Sequence, residues 1–198
     1  MSPHLKREVS LGTTRVFVAL PLGSEAALQL EAIQLHLLAE AERQGVSLRL
    51  TPNHQFHVTL AFLGDISTAL LQGVLRTVSD VFVSQTVFRV TMKDLVAFPS
   101  PRHARVLGTA LEDPSGALCC AVALLHGGLR REGLAFEERE FRPHITLARL
   151  RPPTQVTFET TQRWLVESAF LCRTVAVYES EPGAQGSRYR VLNSVPLG

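Results

Sequence analysis

The sequence predicts an α+β fold built from two related halves. Each half is a small antiparallel sheet with helices on its outer face, and the two face each other across a central cleft. Three observations predict this. The pattern His-x-Thr-Leu occurs twice, as His57-Val58-Thr59-Leu60 and His144-Ile145-Thr146-Leu147, each inside a short apolar run that reads as a strand. A helical pattern precedes each run at a similar distance. Several strand connections are too short for a crossover helix, so the sheets should be largely antiparallel. The 198 residues suffice for one bilobal domain spanning 1–198. A doubly wound parallel sheet would call for a glycine-rich strand–helix turn, and the sequence has neither GxGxxG nor a P-loop.

The elements follow in order. Residues 1–13 read as a flexible arm. Arg15–Leu20 reads as a strand stopped by Pro21, and Ser24 suits the N-cap of a helix running to about Gln44. That helix carries apolar positions Leu28, Leu30, Ile33, Leu35, Leu37 and Leu38, and Gly45 can end it. A short strand near Leu48–Leu50 precedes the first His strand. Ser67 or Thr68 opens a second helix to about Phe82. Phe88–Phe98 and Arg105–Leu111 are strands separated by the turn-rich segment Pro99–His103. Pro114–Glu132 reads as a third helix ended by Gly133, and the second His strand runs into a proline-containing linker, Arg151–Pro153. A helical turn near Thr160–Leu165 and two strands, Phe170–Glu179 and Arg188–Val195, flanking a turn at Pro182–Gly186, complete the chain.

In a strand, residues two apart share a face. Each motif therefore presents one imidazole and one hydroxyl on one side, while Val58, Leu60, Ile145 and Leu147 anchor the other side in a core. Two such strands across a cleft would gather two histidines and two threonines, a set suited to acid–base chemistry on a phosphate. Histidine titrates near 6.5, so one neutral and one protonated ring are both accessible around neutrality. Threonine hydroxyls can donate to the non-bridging oxygens where charge develops.

Composition limits the alternatives. A hydrophobic content of 45 % and a mean hydropathy of +0.13 exclude a disordered chain. A net charge of +2 argues against a general DNA-coating protein but permits a local basic patch. Cys119, Cys120 and Cys172 form neither a disulfide framework nor a zinc pattern, and the first two read as core packing. No apolar run is long enough for a membrane span and the N-terminus lacks a signal core, so a cytoplasmic protein without membrane association is expected. Phe17 and Phe56 read as core, and His54 as a loop residue. Arg102 and His103 lie in a turn and are candidate contacts for a bound nucleic acid. His4, His36 and His126 have no partner pattern. The pairs Glu112-Asp113 and Glu137-Glu138 read as solvated loops.

The words RVFVALPL, HVTLAFLG, FRPHITLAR and VYES…SRYRVL together resemble the 2H phosphoesterases, and within them the bacterial and archaeal RNA 2′,3′-cyclic phosphodiesterases, also called the 2′-5′ RNA ligase family. The resemblance spans about Arg15 to Leu192. It implies a bilobal fold and metal-independent, cofactor-free hydrolysis of a 2′,3′-cyclic phosphate end to a 2′-phosphate, with reverse ligation as the same chemistry run backwards. It assigns His57 as proton donor and His144 as proton acceptor, roles the residues alone leave open. It makes Thr59, Thr146 and Arg149 substrate-binding residues and RNA ends, tRNA fragments included, the partner of a monomeric protein. Simple alternation puts Arg149 on the face opposite Thr146, so its role requires a twist, bulge or strand end there. Competing readings are a 2H enzyme for another cyclic nucleotide or oligoadenylate, a non-catalytic RNA-end-binding protein, and a metal-dependent hydrolase. The last lacks an evident carboxylate or thiol ligand set.

Overall fold

A computed structural model describes residues 12–157, 168–183 and 186–198. The expected arm lies outside these residues up to position 11. The expected turn near Thr160–Leu165 lies wholly outside them, and that at Pro182–Gly186 lies partly outside. The described chain runs β1 (Thr13–Pro21), α1 (Ser24–Arg43), β2 (Leu48–Leu50), β3 (His57–Ser67), α2 (Thr68–Phe82), β4 (Phe88–Phe98), β5 (Ala104–Glu112), α3 (Ala117–Arg131), β6 (His144–Thr154), β7 (Ala169–Cys172), β8 (Thr174–Glu181) and β9 (Arg188–Pro196).

The strands pair in the order β7-β4-β5-β6-β3-β1-β8-β9, with β2 added to β6, and every pair is antiparallel. The order is symmetric about the β6–β3 seam. One lobe reads β3, β1, β8, β9 outward and the other β6, β5, β4, β7. A strand–helix–His-strand unit, β1-α1-β3 or β5-α3-β6, sits at the heart of each. The α+β architecture of two antiparallel lobes is therefore present, with the lobes joined into one sheet by a single register pair, Val58↔Ile145.

The core lies on one side of this sheet. Val16, Val18 and Leu20 of β1, Val58 and Leu60 of β3, and Ile145 and Leu147 of β6 pack with Leu30, Ile33 and Leu37 of α1, Val74 and Val78 of α2, and Leu118, Leu125 and Leu129 of α3. Burying one such side chain is worth about 1.5–3 kcal/mol, so this shared face holds the lobes together far more than the seam's hydrogen bonds do.

Several local expectations change. Ser24 is the first residue of α1 and Gly23 is its N-cap, with no side-chain cap bond. The inward stripe of α1 is Ala26, Leu30, Ile33, Gln34, Leu37 and Ala41, whereas Leu28 and Leu35 are about two-thirds exposed, at 66 % and 67 %. The helix has more leucines than one face can bury. Ser67 caps α2 as expected, accepting from Leu70 N. α3 begins at Ala117 rather than Pro114: Gly116, in the left-handed region, is its N-cap, and Asp113 Oδ2 accepts from Leu118 N at 2.6 Å in the first turn. Cys119 and Cys120 are exposed on α3, and only Cys172 is buried, its thiol pushed up to about 12 by burial. The expected linker Arg151–Pro153 belongs to β6. Its prolines fall between the partners Val106↔Arg149 and Ala104↔Thr154, an irregular stretch where missing N–H groups cost no ladder bonds. The expected single strand Phe170–Glu179 is two strands: β7 pairs with β4, β8 pairs with β1, and Arg173 alone separates them. The acidic pairs also have partners, since Glu112 pairs with Lys93 and Glu138 with Arg130.

Two adjacent glycines of α3 should behave oppositely. A Cβ on Gly128 would sit 2.7 Å from Thr77 Cγ2 and 3.2 Å from Val81 Cγ2 of α2, while one on Gly127 would meet nothing within 4 Å. Gly127→Ala should stabilise by about 0.5–1 kcal/mol through helix propensity. Gly128→Ala should lose that gain to an overpacking cost of about 1–3 kcal/mol. Thermal or urea melts of the two variants check this, and equal stabilisation by both would be the contrary result.

Candidate active site

The two motifs meet at the seam. With Val58 opposite Ile145 in an antiparallel register, His57 lies opposite Thr146 and Thr59 opposite His144. All four project from the face opposite the core. In a regular ladder facing residues have Cβ atoms about 5 Å apart and diagonal ones about 7–8 Å, and the two imidazoles take the diagonal positions across this seam. The pairing goes no further because both strands bulge at the same motif position. Val18↔Ala61 and Ala19↔Thr59 leave Leu60 extra in β3, and Leu107↔Ala148 and Gly108↔Thr146 leave Leu147 extra in β6. Bulges bend and twist a strand, and here they splay the two apart.

Splaying strips carbonyls of their sheet partners. Gln34 of α1, only 5 % exposed, donates from Nε2 to Leu147 O at 2.7 Å and to Thr51 O at 2.8 Å, and Thr51 N also donates to Leu147 O. On the other side His126 Nε2 lies 3.0 Å from Leu60 O, and Glu137 N donates to Phe62 O. The leucine carbonyl of each motif is thus held by a polar side chain from the helix of the other unit. Neither Gln34 nor His126 carries a local sequence signal for this task. Only the internal repeat, which places both about ten residues into corresponding helices, could have found it.

The bulge after Thr146 also resolves the position of Arg149. It restores Arg149 to the cleft face, where it lines a pocket with His57, Thr146, Gln55, Ser187, Tyr189 and Arg49. The motif position equivalent to Arg149 in the other half is Phe62, whose ring lies under Arg15 at 5.0 Å. The site is therefore symmetric in histidines and threonines and asymmetric in charge.

Each histidine is oriented alike. His57 Nδ1 donates to Gln55 O at 2.6 Å and His144 Nδ1 to Arg142 O at 2.8 Å, the carbonyl two residues earlier in each case. A carbonyl can only accept, so Nδ1 carries the proton and Nε2 is left for other chemistry. Aromatic rings wall both imidazoles. Phe17, Tyr189 and Tyr178 lie 5.0, 5.5 and 6.3 Å from His57, and Phe98 lies 4.5 Å from His144. Phe17 is buried as expected, but beneath His57 and outside the main core, whereas Phe56 is core. Tyr178 and Tyr189 fall within VYES…SRYRVL but had no anticipated task. Burial pushes His57 from 6.5 down to about 4, partly offset by the Gln55 carbonyl and reinforced by Arg149 and His144. Burial also lowers His144, again against its carbonyl bond and with Arg149 adding to the effect. Both shifts favour neutral rings at pH 7, in place of the half-protonated pair expected of ordinary imidazoles. Burial holds the Tyr178 hydroxyl in its neutral form.

His54, Arg102 and His103 stand exposed on short turns. Among the described residues, no three His, Cys, Asp or Glu side chains gather into a metal-binding group, and no helix is long and apolar enough to cross a membrane.

A family profile described as LigT-like phosphoesterase matches residues 21–108. The RNA 2′,3′-cyclic phosphodiesterase of Aeropyrum pernix is 29 % identical over 107 residues, which cover 54 % of this chain and 60 % of that protein. The match thus spans less than two thirds of that relative. The enzyme of the same name from Aquifex aeolicus is 27 % identical over 146 residues, covering 72 % of this chain and 78 % of its own. The crystal structure of TT0787 of Thermus thermophilus superposes with a TM-score of 0.79 at 26 % identity, covering 92 % of this chain and 97 % of that one.

Gly108 is the tightest point beneath the site. It pairs with Thr146, and a Cβ there would meet Ile145 O at 2.5 Å and His144 Cδ2 at 3.5 Å. Gly108→Ala should displace the His144 strand, cost about 1–3 kcal/mol, and lower turnover about 10²-fold, as a misplacement near 1 Å can. Melting and steady-state kinetics check this together. Unchanged turnover in a folded variant would show that the close approach does not set the geometry.

Proposed function

We propose that this chain is a LigT-like phosphoesterase, as its likeness to that family and to its relatives supports, and that it hydrolyses RNA 2′,3′-cyclic phosphate ends to 2′-phosphates by two-histidine acid–base catalysis. The observation that carries the reading is the two-by-two array of His57, Thr146, Thr59 and His144 about the Val58↔Ile145 pair, with both Nε2 atoms free. His144 Nε2 takes the proton of the attacking water. His57 Nε2 donates to the leaving 3′ oxygen, and Thr59, Thr146 and Arg149 hold the non-bridging oxygens. In-line displacement needs attacking and leaving atoms on opposite sides of phosphorus, and a histidine on each side of the gap meets that need. The substrate is an RNA end, tRNA fragments included, and a sugar hydroxyl in place of water gives the reverse ligation. The protein works as a monomer.

Burial holds His57 at about 4, so at neutral pH its ring carries no proton to give. The donor role of His57 therefore requires the anionic phosphate to sit against its Nε2, raising its affinity for a proton.

His57→Ala and His144→Ala should each slow hydrolysis by roughly 10²–10⁴-fold, and the double variant should be little worse than the slower single one. Hydrolysis should survive EDTA. Turnover of a short RNA with a 2′,3′-cyclic end, product analysis against 2′- and 3′-phosphate standards, and melts for folding check these. Near-normal turnover in either folded single variant, or loss to EDTA with recovery on adding Zn²⁺ or Mn²⁺, would refute the mechanism.

A pH dependence follows from the lowered histidines. A ring with a depressed pKa is protonated only below that pKa, and the reaction needs one ring protonated and one neutral. The kcat/KM profile, which reports the free enzyme, should be a bell lying acid of 6.5. The kcat profile, which reports the complex, should lie at higher pH because bound phosphate favours the protonated form. Arg149→Gln removes a cation that lowers both rings, so its kcat/KM bell should move to higher pH as its height falls. Coincident profiles for the two constants, with no movement in Arg149→Gln, would contradict this.

A further inference from the structure

Arg49 and Arg149 are direct cross-strand partners, one on β2 and one on β6, and both line the pocket that holds His57 and Thr146. Like charges directly opposite in a ladder destabilise a sheet. No carboxylate lines this pocket, and among the described residues neither guanidinium has an ion-pair partner. Gly186 of the β8–β9 turn lies against Arg49, where a Cβ would come within 3.4 Å of Nη1, so the turn backs the guanidinium from behind. Gln55 Nε2 ties the same turn to the His57 strand through Ser187 O at 3.1 Å.

The charge count is uneven. A cyclic phosphate end brings one negative charge to the site, which holds two guanidiniums beside two neutral histidines. Arg149 follows Thr146 on the same strand and serves the reacting group. Arg49 stands one strand-width, about 4.8 Å, to the side of it and is left with no anion.

We propose that Arg49, paired with Arg149, forms a second phosphate subsite that takes the phosphodiester on the 5′ side of the terminal nucleotide, so that the protein selects oligonucleotide ends over cyclic mononucleotides. This rests on the cleft being a cyclic phosphodiesterase site. It adds the residue that reads chain length and the chemistry by which it does so. A planar guanidinium suits a diester because it donates two parallel bonds to the two non-bridging oxygens, which an ammonium cannot do. The anion also removes the repulsion between the two arginines.

The test uses three substrates: a 2′,3′-cyclic mononucleotide, a dinucleotide with a 2′,3′-cyclic end, and the same dinucleotide with a neutral methylphosphonate linkage. Turnover of each is measured for the unaltered protein, Arg49→Ala and Arg49→Lys, and binding is titrated in parallel with the two dinucleotides ending in a 2′-phosphate. The unaltered protein should favour the charged linkage over the neutral one by roughly 10–100-fold in kcat/KM, mostly through KM, as a charge-assisted bond would give. In Arg49→Ala that ratio should collapse towards one, and Arg49→Lys should recover only part of it. Equal handling of charged and neutral linkages by the unaltered protein would overturn the subsite. So would an equal loss on all three substrates in a folded Arg49→Ala. If the charged dinucleotide binds more tightly through Arg49 but no substrate turns over, the catalytic reading fails and the subsite stands.

Discussion

The site depends on two strands that are allowed to touch at only one residue pair. Val58 and Ile145 hold β3 and β6 together, and the bulges at Leu60 and Leu147 drive them apart on either side. Continued pairing would flatten the seam and close the gap between the imidazoles. Without the pair, His57 and Thr146 would have no reason to face each other. The splay exposes carbonyls that must be satisfied within the protein, since an orphaned buried carbonyl costs about 1–3 kcal/mol. Gln34 and His126 meet that demand in mirror fashion. The helices thus do more than cover the core: each clamps the His strand of the opposite unit.

On this symmetric frame the chemistry is made directional by departures from symmetry. Arg149 stands where its counterpart is Phe62, and β2 lengthens the edge of β6. Arg49 and Arg149 therefore stand side by side on one flank of the seam, while Arg15 and Arg142 lie over the rings of Phe62 and Phe98. Burial among the aromatic walls holds both histidines below their ordinary range, and Arg149 adds to the effect. Both rings are thereby tuned against protonation.

The parts legible in the sequence were those set by local periodicity. Alternation alone placed His57, Thr59, His144 and Thr146 on one face, and Val58 and Ile145 in the core. Ser67 announced a cap and Phe88–Phe98 a strand because capping and β-branched runs act within a few residues. What stayed hidden was set by pairing across the chain. The side of β6 that Arg149 occupies depends on a bulge visible only opposite β5. The task of His126 depends on a carbonyl sixty-six positions away. Arg49 gains meaning only once β2 is laid against β6. The stripe of α1 misled because its leucines populate more than one face, and only packing decides which of them is covered.

The passage from β7 to β8 bears on how the cleft can move. In the order of pairing these strands lie six steps apart, about 29 Å along the sheet at the usual spacing. Yet only Arg173 separates them in the chain, and one residue spans about 3.5 Å. The sheet must therefore curl until its far strands meet, making the two lobes a near-closed ring tied at both ends: by the seam at the front and by one peptide strap at the back. A ring so tied cannot swing open like a jaw without tearing a strand from its ladder. The aperture between the histidines is fixed by the architecture, and any ligand must fit it as it stands.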